Sequence, residues 1–85
     1  MKIKNAFLFP DETPKVSIDY KILNSCRRYR QDFGADPTIC FVNPLDYSDI
    51  VEYESRSGFK LVHGTRVEPS SQILKNTFYV GEFDD

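Results

Sequence analysis

Apolar residues recur along this chain in two rhythms, and the alternation between them sets out its elements. Ile18, Ile22, Cys26, Tyr29 and Phe33 are spaced by 4, 4, 3 and 4. That spacing stacks them on one side of a 3.6-residue helix, and Leu23 widens the stripe. Ser17 supplies an N-cap, Asp19 lies in the first turn, and Gly34 suits the left-handed position after the last one. Strand-like runs flank this helix. Residues 3–9 read as a strand with Ile3, Phe7 and Phe9 on one face and Ala6 and Leu8 on the other. Pro10 stops it before the loop Asp11-Glu12-Thr13-Pro14. After Asp36-Pro37, which favours an extended backbone, Thr38 leads into Ile39-Cys40-Phe41-Val42. Four consecutive apolar residues of this kind read as a strand buried on both faces.

Asn43 follows that strand as an N-cap and Pro44 fits a first helical turn. A second helix is expected from about Leu45 to Ser55, with Tyr47, Ile50, Val51 and the stem of Glu54 on one face and Gly58 beyond its end. Residues 59–63 alternate like a half-buried strand, Gly64 marks a bulge or turn, and Thr65 to Glu68 continue as a bent or paired strand. Ile73-Leu74 form a short extended piece or one helical turn. The last strand, about Thr77 to Phe83, places Tyr79 with Phe83 on one face and Phe78 with Val80 on the other. The order β-α-β-α-β-(β)-β predicts an α/β domain, or an α+β one, built as a small two-layer sandwich: a mixed sheet with two helices on one face. Right-handed crossovers make the first strands parallel, and the short C-terminal connections suit antiparallel pairing. Residues 1–85 are read as a single compact domain.

Composition narrows the function classes more than it names one. Seven Phe and five Tyr supply core bulk in 85 residues without any Trp. The net charge of −2, with acids and bases interspersed until Glu82-Phe83-Asp84-Asp85, argues against a dedicated nucleic-acid binder. Cys26 and Cys40, the only two cysteines, fall on different predicted elements and are read as reduced, buried packing residues. No apolar run approaches the roughly 18 residues that span a bilayer. The run from Lys2 to Phe9 is too short for a signal-peptide core. A cytoplasmic protein without a membrane partner is the expectation.

Candidate chemistry is sparse. Lys21, Arg27, Arg28 and Arg30 form the one basic cluster, a candidate phosphate-binding surface, with Lys21 and Arg28 expected on the solvent side and Asp32 able to pair with Arg28. Asp11, Asn43, Asp46 and His63 are the candidate strand-end cleft. If the first two strands are parallel neighbours, Asp11 and Asp46 stand at one sheet edge, as a hard-cation site requires. His63 is the only histidine, so a multi-histidine metal cage is excluded within one chain, and no cofactor or metal is assigned. Neither cysteine sits at an activating helix terminus, no Gly-x-Ser-x-Gly elbow exists, and the four glycines are dispersed. No catalytic set follows. Tyr20 and Tyr79 are the candidate interface: Tyr20 points away from the apolar axis of the first helix, and the final strand is expected to offer a sheet edge for pairing with a second copy. The leading expectation is a non-enzymatic interaction or structural module that binds itself or another protein. The alternatives are a weak nucleic-acid-binding accessory protein using the basic helix, and a small metal-assisted hydrolase using Asp11, Asp46 and His63.

Overall fold

The computed structural model describes residues 2–84. Six strands and two helices follow one another as β1 (Lys2–Pro10), α1 (Ile18–Phe33), β2 (Ile39–Val42), α2 (Pro44–Ser48), β3 (Glu54–Arg56), β4 (Phe59–Val62), β5 (Thr65–Pro69) and β6 (Thr77–Asp84). The strands form one mixed sheet in the order β1-β6-β2-β5-β4-β3. Only β2 and β5 run parallel; every other neighbouring pair is antiparallel. The expected α/β sandwich is therefore present, with both helices on one face of the sheet.

The first helix forms as its spacing predicts. Ser17 accepts the Tyr20 amide as N-cap, and Gly34, at φ 75°, takes the left-handed position and donates its amide to Arg30 O. Ile18, Ile22, Cys26 and Tyr29 point into a core that also holds Cys40, Val42, Val62, Val67, Phe78 and Val80 from the sheet, with Phe9 and Phe33 packed against it. Tyr29 and Phe33 continue into an aromatic cluster with Phe7 and Phe9, at centroid separations of 4.7 to 5.7 Å. Tyr47 and Ile50 reach the same core from α2 and the turn after it.

Four expectations are corrected. The second helix ends at Ser48, not near Ser55, because the amides of Val51 and Glu52 are taken by the Asp19 carboxylate at 2.7–3.2 Å and cannot continue a helical ladder. Residues 54–56 instead pair with 59–61 around Ser57-Gly58, both at positive φ as a tight hairpin turn demands. In β1, the register slips between Lys4 and Phe7, with Asn5 at φ 56°. This bulge turns Ile3 to the side opposite Phe7 and Phe9, against Phe83. Gly81 lies opposite it, where a Cβ would meet Ile3 Cγ2 and stand 3.2 Å from Lys4 O. Finally, β6 is no edge. It lies between β1 and β2, so those two strands point the same way without being neighbours, and the edges belong to β1 and β3.

Candidate functional site

Where β2 ends, a polar network ties the chain down. Asn43 caps α2 by accepting the Leu45 amide at 2.9 Å, while its Nδ2 donates to Ile73 O at 2.9 Å. Asp46, fully buried, accepts from Lys75 Nζ at 3.0 Å and from the Asn76 amide at 2.6 Å. Asn76 also accepts from Lys21 Nζ at Oδ1, and its carbonyl takes the Asp11 amide. Asp11 turns its own carboxylate to Thr13, whose hydroxyl and amide hold it below the usual carboxylate range, with Lys21 adding to the effect against burial. Asn76 is thus the hub joining Asp11, Lys21 and Asp46. It sits at φ 59°, a left-handed position that Asn tolerates better than most residues. The signal available in the sequence was a lone Asn one residue before the last strand.

These contacts bring Asp11, Asn43 and Asp46 to one end of the sheet. His63 lies in the β4–β5 turn and lines recesses beside Cys26, Arg27 and Arg30, and beside Tyr20, Leu23 and Val51. The polar recess that reaches Asp46 is lined by Lys21, Lys75, Glu12 and Asp49 and does not include His63. Among the described residues, no three His, Cys, Asp or Glu side chains come together as metal donors. Cys26 and Cys40 are unpaired and buried in the same core. Burial pushes the Cys26 thiol up; it pushes Cys40 well up, with the neighbouring Cys26 adding to it. Thiolate chemistry at neutral pH is disfavoured in such surroundings.

The basic helix does not converge. Lys21 is buried on Asn76 and does not face solvent as expected, because the loop before β6 folds across the first turns of α1. Arg28 lies 3.7 Å from Asp32 and Arg30 2.8 Å from Asp36. Among the described residues only Arg27 of this cluster lacks an acidic or amide partner.

The same network that holds Asn43 and Asp46 has a second consequence on the far side of the sheet. It fixes residues 70–76 as one wall of an apolar groove of about 630 Å3, lined by Leu8, Phe41, Ile73, Leu74 and Tyr79, with Ser70, Gln72 and Thr77. Compared with family models, curated proteins and solved structures, the chain matches none. Its own geometry therefore carries the functional reading. The groove lies on the sheet face that no helix covers. On β1, β6 and β2 the positions facing that side are Ile3, Leu8, Pro10, Thr77, Tyr79, Gly81, Phe83, Ile39 and Phe41, none of them charged. On β5 and β3 the charges cancel within the face: Arg66 lies 3.0 Å from Glu68 and Arg56 3.4 Å from Glu54. Arg66 also stacks over Phe59 at 4.1 Å. Its Nε is buried without a well-directed hydrogen bond, the Glu68 contact being an ion pair by distance only. Tyr79 belongs to this face, packed beside Phe41 at 6.2 Å. Tyr20 is half-exposed on the helix side with Val51, so the two candidate interface residues occupy opposite sides of the molecule.

Proposed function

We propose that this chain is a non-enzymatic interaction module of the cytoplasm that self-associates through its uncovered sheet face. The observation that supports this most directly is the pair Leu8 and Leu74, 55% and 77% exposed, standing over the groove floored by Phe41 and Tyr79. Monomeric domains rarely leave contiguous apolar relief of this kind in water. Two buried, unpaired cysteines fit a reducing compartment, and no helix among the described residues is long and apolar enough to cross a membrane. His63 lines recesses other than the one that reaches Asp46, which favours this reading over a hydrolase built on Asp11, Asp46 and His63.

A second reading has one observation in its favour. Phe41 and Tyr79 sit side by side on two central strands of an open face, the arrangement on which unpaired nucleobases stack. Single-strand binders add free cations along the groove, whereas here Arg56 and Arg66 are already paired. Sedimentation velocity from micromolar to millimolar protein separates the readings: a concentration-dependent dimer is expected, and Leu8→Glu makes it monomeric, with a thermal midpoint unchanged at concentrations below association. A strict monomer at millimolar concentration that binds a labelled single-stranded oligonucleotide in a salt-sensitive way replaces the proposal with the second reading.

A further inference from the structure

The two free edges of this sheet are both guarded, and its open face is not. β1 carries Lys2, Lys4, a bulge at Asn5 and a terminal Pro10, while β3 is three residues long and charged. Short, bulged or lysine-bearing edges resist strand addition. The face beside them carries no net charge, its arginines and glutamates being paired within it, so a copy of itself meets no net repulsion across it. It also offers both a projection and a socket, as an interface between identical copies requires. The projection is Leu74, the most exposed large apolar residue described. It is held by a loop that is itself fixed: Ile73 N binds Ser70 O, Thr77 N binds Leu74 O, and Asn43 and Asp46 clamp the residues on either side. The socket is the groove between Phe41, Tyr79 and Ile73.

From this we infer that the partner is a second copy stacked face to face about a two-fold axis, with Leu74 of each copy seated in the groove of the other. At about 4.8 Å between strands and about 3.4 Å per residue, the face spans on the order of 600 Å2 in flat projection. Two such faces bury on the order of 1,200 Å2 in total, the low end for specific interfaces and in keeping with a concentration-dependent dimer. Loop 70–76 then has a function beyond closing the chain: it is a pre-ordered plug, and Asp46 and Asn43 are its positioning residues.

This inference rests on the self-association proposed above, and the test separates the two. Buried Cys26 and Cys40 leave an introduced thiol as the accessible one. Under mild oxidation Leu74→Cys mixed with Thr77→Cys, a variant in the groove wall, is expected to form the mixed disulfide dimer at least ten times more than Leu74→Cys mixed with Gln31→Cys, a control on the exposed side of α1. Leu74→Asp is expected to weaken the dimer at least tenfold in sedimentation without moving the thermal midpoint measured at concentrations below association. A dimer in which Leu74→Cys links to Thr77→Cys no better than to the control, or Leu74→Asp changes nothing, overturns the face-to-face seating and leaves self-association standing. A monomer overturns both. A monomer whose groove takes up 8-anilinonaphthalene-1-sulfonate, with uptake abolished by Leu74→Asp, assigns the groove to a small apolar ligand instead.

Discussion

The two faces of this sheet differ in what covers them, and the difference shows how a short chain spends its apolar residues. Under α1 the face is a packed core in which Cys40, Val42, Val62, Val67, Phe78 and Val80 are essentially inaccessible. The other face has no helix, since 85 residues supply one long helix and one of five residues. A face destined only for water would resemble the outer side of α1, where Arg27, Arg28, Arg30, Gln31 and Asp32 are all exposed. Instead it is apolar at one half and charge-cancelled at the other. Successive residues of β6 report on the contrast directly. Phe78→Ala empties a fully buried site and is expected to cost about 3–5 kcal/mol. Tyr79→Ala removes a partly buried ring from the open face and is expected to cost about 1–2 kcal/mol in the monomer, while abolishing the dimer. Urea midpoints at protein concentrations below association, paired with sedimentation, measure both. Equal losses of stability for the two variants would make the open face a second core and end the comparison.

Much of the covered face was legible because its signal is periodic. The five-residue stripe of α1, its two caps and the apolar run of β2 each follow from spacing and a known terminal residue. The failures share a cause: each depends on a partner distant in sequence. Residues 51–56 resemble the end of a helix until Asp19, more than thirty residues earlier, takes the amides of Val51 and Glu52. Ile3 changes face because one bulge opposite Gly81 inverts the alternation. The central place of β6 is set by strand pairing across the whole chain, which local pattern does not encode. The same holds for the site. Asn43 as a cap and Asp46 near a helix start were readable, but not that both would anchor residues 73–76, and the groove wall is invisible without that link.

Asp46 is where the two faces are coupled, so removing it should affect both. Asp46→Ala leaves the Asn76 amide without its acceptor in a buried place and is expected to cost about 2–3 kcal/mol. Lys75 is half-exposed but its partner is not, so Lys75→Ala leaves the buried carboxylate with the Asn76 amide alone and is expected to cost about 1–3 kcal/mol. If the loop is a positioned plug, Asp46→Ala also weakens dimerisation at temperatures where the monomer stays folded. Unchanged dimerisation in that variant would show that the wall holds its shape without the clamp.

The smallest expected effect is confined to the covered face and is read by pH. Tyr29 is fully buried, and its hydroxyl donates to Glu82 Oε2 at 2.7 Å. Burial, then the hydrogen bond to Glu82 and that carboxylate's charge, push its pKa from an ordinary value of 10 up to about 12, with Asn5 opposing. All three favour the neutral phenol, so the folded chain holds this proton more tightly than the unfolded chain. Stability from Tyr29 is therefore fully present below pH 10 and is lost as pH rises from 10 through 12. Tyr29→Phe forfeits the hydrogen bond, expected to cost about 1 kcal/mol at neutral pH, but has no phenol to ionise there. Urea midpoints of the two proteins should therefore converge between pH 10 and pH 12. Curves that stay parallel across that interval would mean that the Tyr29 proton leaves the folded and unfolded chains with equal ease, and that the ring is not sealed under α1 as the geometry requires.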